Sequence, residues 1–106
     1  MFHIVFLCTK KAGMTQREFT DYWIHQHTPL TAAAPGLRAY RCYPMTGHDG
    51  PYPGFDAVAI VSFDDEAAWR AAEQSPEFQA ALADAPAFQT TDQTFAFFAE
   101  EHVIVE

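Results

Sequence analysis

Residues 15–30, TQREFTDYWIHQHTPL, decide how the rest of this 106-residue chain is read. Thr15-Gln16-Arg17-Glu18 fits a capping box, in which the Thr hydroxyl and the Glu carboxylate satisfy first-turn N–H groups, so a helix starts there. It is expected to run from about Gln16 to about Ala33 and to end at Pro35-Gly36. Pro29 marks a kink or restart, because proline brings no N–H and disfavours helix at the residue before it. Phe19, Trp23, His27 and Leu30 are spaced by four, four and three, which puts them on one stripe facing a core. His25 lies about 160° round the axis from His27 and nearer solvent.

The flanking segments read as strands. Phe2–Cys8 is a short, almost continuously apolar run rich in β-formers, as expected of a strand covered on both faces. Leu37–Met45 is a second strand, residues 46–54 (TGHDGPYPG) a loop, and Phe55–Phe63 a third strand. Asp64 is the expected N-cap of a helix over Asp65–Glu73, and Ser75-Pro76 opens a second piece of it reaching about Ala83. Pro86–Gln93 is irregular, and Thr94–Val105 closes the chain as a final strand. The order is βαββαβ: an α+β, ferredoxin-like arrangement, a four-stranded antiparallel sheet with helices on one face, in one domain over residues 1–106.

Strands apolar on both faces need two covers, and two helices supply one of them. The other is expected to be a second subunit's sheet, giving a homodimer. The composition agrees, with 49% hydrophobic and 15% aromatic residues, ten of them Phe. A formal charge of −8 and scattered basic residues argue against nucleic acid as a partner. The N-terminal run lacks the basic segment of a signal peptide and no stretch is long enough for a membrane span, so no membrane association and a cytoplasmic location are expected. Cys8 and Cys42 lie inside apolar runs and read as free buried thiols.

Few residues are placed to do chemistry. For His27 two readings stand: a core histidine satisfied by a backbone carbonyl, or a general acid/base in an apolar pocket. Phe19, Tyr22 and Trp23 would form the aromatic wall of that pocket. Tyr40 and Cys42 share one face of the second strand by period two, and the Tyr40 phenol either holds a substrate oxygen or packs with a wet hydroxyl. Asp56, with Val58 and Ile60, and His102 in the last strand are further candidates, with turn and ordinary strand roles as the plainer readings. No His, Cys or acid spacing suggests a metal, since His25 and His27 cannot share a helical face. Nucleotide-binding and serine-hydrolase motifs are missing, so a cofactor-free chemistry is expected.

Gly13-Met14-Thr15, Glu18-Phe19, Tyr22-Trp23, His27, Pro29-Leu30 and Pro35-Gly36-Leu37 together resemble the EthD family, with the spacing F-x-x-Y-W-x-x-x-H-x-P-L. The resemblance continues through Tyr40, Phe55-Asp56, Phe63 and Glu101-His102-Val103-Ile104 and so covers most of the chain. It implies the dimeric α/β-barrel fold. Family members include a protein associated with ethyl tert-butyl ether degradation, a methylmuconolactone methylisomerase and fungal proteins acting on polyketides. In those thought to be enzymes a first-helix histidine is the catalytic suspect, and His27 matches it. The methylisomerase's strand cysteine has no matching position here.

The expected function is therefore a cofactor-independent isomerase, dehydratase or cyclase acting on a small apolar cyclic or aromatic substrate, a lactone, phenol or polyketide-like molecule. His27 would move a proton and Tyr40 polarise the oxygen, with Phe19, Tyr22, Trp23, Cys42, Asp56 and His102 around the substrate. The alternative is a non-catalytic binding or accessory protein for a hydrophobic metabolite.

Overall fold

A computed structural model describes residues 1–106. Four strands, β1 (Phe2–Cys8), β2 (Ala39–Pro44), β3 (Ala57–Phe63) and β4 (Phe95–Ala99), form one antiparallel sheet in the order β2-β3-β1-β4. The helices cross one face of it, giving the ferredoxin-like α+β arrangement. Side-chain alternation sorts the sheet. Phe2, Ile4, Phe6 and Cys8 of β1, Tyr40 and Cys42 of β2, and Ala57, Ala59, Val61 and Phe63 of β3 pack under the helices. Val5, Leu7, Val58, Ile60 and Phe97 have the opposite parity and face away.

The capping box is present as expected: the Glu18 N–H donates to the Thr15 hydroxyl at 3.1 Å and the Thr15 N–H to Glu18 Oε1 at 2.9 Å. The helix behind it is not continuous. α1 (Gln16–Tyr22) runs into one π-helical turn, Trp23–His27, before α2 (Thr28–Ala32) resumes. Across the turn the Thr28 N–H donates to the Trp23 carbonyl, five residues back, and the Thr28 hydroxyl takes up the Ile24 carbonyl at 2.6 Å. The break thus precedes Pro29, which sits in the first turn of α2 where its missing N–H costs little. The π turn is under-wound, so the residue following His27 on the buried face is Thr31, and Leu30 is half-exposed.

Asp65, not Asp64, caps α3 (Glu66–Glu73), accepting the Ala68 N–H at 2.8 Å. Asp64 instead accepts from Arg38 Nε and Nη2 at 2.9 and 3.0 Å. Ser75 caps α4 (Pro76–Asp84) and donates to the Ala72 carbonyl, so its hydroxyl joins the two pieces. The segment after α4 contains two single 3₁₀ turns, Ala85–Ala87 and Thr91–Gln93. β2 is shorter than expected at both ends, beginning at Ala39 and ending at Pro44, and β3 begins two residues late, at Ala57. β4 stops at Ala99, well before Val105, because Ala99 pairs with His3 and β1 offers almost no strand beyond it. His102 therefore lies in an extended tail and not in a strand.

Two core clusters result. Ile4, Val61, Phe63, Trp69, Ala72 and Phe78 pack at one end, and Cys8, Phe19, Trp23, Ala57, Ala59 and Phe88 at the other. The small Ala59 on β3 leaves space between sheet and helices. No helix is long and apolar enough to cross a membrane.

Candidate active site

That space is a cavity of about 270 Å³. Its floor is the sheet, through Phe6, Cys8, Tyr40, Ala59 and Val61. One wall is Trp23, His27 and Thr31, the other Phe78, Ala81, Leu82 and Ala85 of α4 and the turn after it, with Gln89, Thr91 and Thr94 at the rim. No Lys, Arg, Asp or Glu lines it. A charged ligand would leave water there without a counter-ion, so the cavity suits a neutral one.

His27 is 7% exposed and its ring lies 4.6 Å from that of Phe88, centroid to centroid. Its Nδ1 is 2.9 Å from Asp84 Oδ2, and its Nε2 is 3.4 Å from the Thr31 hydroxyl, a long contact that leaves the nitrogen weakly engaged. The Tyr22 hydroxyl donates to the other Asp84 oxygen at 2.7 Å. That hydrogen bond is the main cause holding the Tyr22 phenol above the usual tyrosine range.

Tyr40 stands on the floor. Burial chiefly, and then the neighbouring Cys42 thiol, push its phenol up, while hydrogen bonding with Thr31 and Trp23 pulls the other way. The net upward shift keeps Tyr40 protonated at neutral pH, which makes it a hydrogen-bond donor and not a base. Burial likewise pushes the Cys8 thiol up to about 12 and raises Cys42. Neither thiol is a ready nucleophile.

Of the residues singled out in the sequence, the fold brings His27, Trp23 and Tyr40 together round the cavity. Phe19, fully buried, stands behind the wall against Trp23 and Phe88. Tyr22 also stands behind it, held to Asp84. Cys42 packs beside Tyr40 without lining the space. Asp56 is elsewhere: 1% exposed, it accepts the Lys10 N–H at 2.8 Å and the Tyr52 hydroxyl at 2.9 Å, pinning the loop before β3 to the end of β1. His102 is exposed on the opposite side of the sheet, 2.8 Å from Glu100. Asp84 was not anticipated, since an acid ending an amphipathic helix gives no signal of a partner 57 residues away. No three His, Cys, Asp or Glu side chains converge as a metal would need.

The four-stranded antiparallel sheet with helices on one face places the protein in the ferredoxin-like α+β class. A model of the EthD domain matches residues 11–92, and the chain belongs to that family. Among solved structures it is similar to an ethyl tert-butyl ether D (EthD) family protein from Bacillus halodurans C-125, with a TM-score of 0.81 and 22% identity over 96% of this chain and 99% of that one. A dimeric ferredoxin-like protein of unknown function from Thermobifida fusca YX gives 0.74 and 21% over 94% and 90%. SnoaB, a cofactor-independent oxygenase from Streptomyces nogalater, gives 0.68 and 18% over 98% and 97%. At these identities the likeness is one of fold. No curated protein matches the chain.

The thiols offer a direct check on this geometry. A thiol raised to about 12 is fully protonated at pH 8, whereas an unfolded one titrates near ~8.5. Cys8 therefore contributes stability that is present below the unfolded value and is lost as pH rises toward 12. Iodoacetamide at pH 8 is expected to label Cys8 after unfolding in urea and not before; native labelling at the rate of a free thiol would contradict the burial.

Proposed function

We propose that the protein is a cofactor-independent enzyme that moves a proton on a small, neutral, largely apolar cyclic or aromatic substrate, of the lactone, phenol or polyketide-like kind. The observation that carries this reading is the buried His27 in the wall of an apolar cavity whose floor presents the protonated Tyr40. The size supports a small substrate, since pockets for drug-sized ligands run to roughly 300–1,000 Å³.

In this reading the substrate's carbonyl oxygen accepts the Tyr40 O–H, and His27 Nε2 removes a proton from the adjacent carbon. The resulting enolate is stabilised by the Tyr40 hydrogen bond in a site with little water. The imidazolium then has three uses. It returns the proton to a different carbon in an isomerisation. It gives the proton to a departing hydroxyl, which leaves as water, in a dehydration. In a cyclisation it protonates the oxygen of a second carbonyl as the enolate carbon attacks it. Trp23, Phe6 and Val61 hold the ring by contact and exclude solvent. The mostly apolar lining also suits a second reading, a binding or accessory protein that carries a hydrophobic metabolite without converting it.

A panel of lactones, hydroxylated aromatic ketones and polyketide-like phenols separates the two. Compounds that bind are expected to be converted, with His27→Gln lowering turnover at least ~100-fold at unchanged affinity and Tyr40→Phe lowering it roughly 10²- to 10³-fold, the weight of one acid/base or oxyanion group. Binding without conversion would favour the carrier reading, and full turnover in His27→Gln would contradict the proposed role.

The face of the sheet turned away from the helices carries Val5, Leu7, Val58, Ile60, Phe95 and Phe97, and Phe95 and Phe97 are at least half exposed. We infer that a second copy covers it, as in a homodimer; two similar structures are described as dimeric ferredoxin-like proteins. Sedimentation velocity is expected to show a dimer across the micromolar range, and a monomer throughout would count against this.

A further inference from the structure

A carboxylate at the C-terminal end of a helix faces the negative pole of the helix dipole and is unfavourable there. Asp84 is the last residue of α4, has no Lys or Arg partner, and lies close behind the cavity. Its two oxygens are instead met by two side chains of the first helical segment: the Tyr22 hydroxyl donates at 2.7 Å and His27 Nδ1 lies at 2.9 Å. Those residues are five apart, and it is the π-helical turn between them that brings both side chains round to the same carboxylate. A plain α-helical register would turn one of them away.

We propose that Asp84 is the positioning residue of this site: it fixes His27 in the tautomer with Nδ1 protonated and Nε2 bare toward the cavity, and Tyr22 fixes Asp84. An ionised carboxylate only accepts hydrogen bonds, so the nitrogen beside it must carry the proton. The other nitrogen keeps its lone pair beside Thr31, whose hydroxyl lines the same wall. Tyr22 makes the arrangement directional, because its O–H occupies one carboxylate oxygen and leaves the other for the imidazole. Phe88 packs against both the Tyr22 and the His27 rings, at 5.4 and 4.6 Å, and keeps them from swinging away. The inference rests on the proposed role of His27 as the acid/base but is tested without a substrate.

Asp84→Asn keeps the shape and reverses the chemistry. With Tyr22 still donating to the amide oxygen, the amide NH₂ faces His27 Nδ1, which must then accept, and the proton moves to Nε2. Nitrogen-15 NMR of the imidazoles in alkaline buffer reads this directly. The wild-type protein is expected to show His27 protonated at Nδ1 and Asp84→Asn to show it protonated at Nε2. In Tyr22→Phe/Asp84→Asn the amide is free to turn over, and the two tautomers are expected to mix. A wild-type His27 protonated at Nε2, or a tautomer unchanged in Asp84→Asn, would overturn the proposal; a pure Nε2–H form in the double variant would remove Tyr22 from it. With a converted substrate in hand, Asp84→Asn should lower kcat by roughly 10²- to 10⁴-fold, as a wrong tautomer does in the Ser-His-Asp arrangement, and leave KM within about threefold. If the tautomers behave as expected while His27→Gln remains fully active, the acid/base reading fails and the positioning does not.

Discussion

The hydrogen bond between His27 and Asp84 ties the first helical segment to the last turn of α4, the two elements that wall the cavity from opposite sides. Much else in the structure is arranged round it. An apolar cleft between helices and sheet tends to collapse, since its lining gains contacts when it closes. The polar contact joins the two walls behind the cleft at a defined distance and orientation. The π turn supplies the register for it, and Thr28 offsets part of the cost by taking up a carbonyl that the under-wound turn would leave unpaired. Irregular helical turns of this kind recur at functional sites because they aim side chains that a regular ladder cannot.

The chemistry follows from the same economy of charge. With no Lys, Arg, Asp or Glu on the lining, the cavity's polar groups are His27, Thr31, the Tyr40 phenol and a rim of Gln89, Thr91 and Thr94. Burial holds Tyr40 and both thiols in their neutral forms, so none competes with the imidazole for the role of base. In the proposed arrangement the imidazole, held at Nδ1 by Asp84 and touched at Nε2 by Thr31 alone, shares an apolar space with a phenol, which suits it to moving a proton beside a carbonyl. The small side chain of Ala59 on β3 helps make room for it over the sheet.

The order of elements was legible in the sequence because each rests on a local signal: the Thr15–Glu18 box, the Ser75-Pro76 restart, the apolar run of β1 and the Pro-Gly stop after the first helical segment. The stripe of Phe19, Trp23 and His27 also held, since four-residue spacing survives one π turn, but its continuation moved from Leu30 to Thr31 because the inserted residue shifts everything after it. Choosing Asp65 over Asp64 as a cap, or ending β4 at Ala99, depends on partners far away in sequence, Arg38 in one case and the start of β1 in the other. The site was half legible for the same reason. His27, Trp23 and Tyr40 are carried by periodicity, whereas Asp84 acquires meaning through a contact across 57 residues, and the isolation of Asp56 and His102 from the cavity is a matter of tertiary placement.

The most direct test of proton transfer by His27 is solvent exchange. Enolisable lactones and hydroxylated aromatic ketones that bind the protein would be incubated with it in deuterium oxide, and uptake of deuterium at the carbon next to the carbonyl followed by mass spectrometry. Uptake is expected to be catalysed by the wild-type protein and reduced to the uncatalysed rate in His27→Gln. Equal uptake in the two proteins, or bound ketone that exchanges no faster than free ketone, would contradict it.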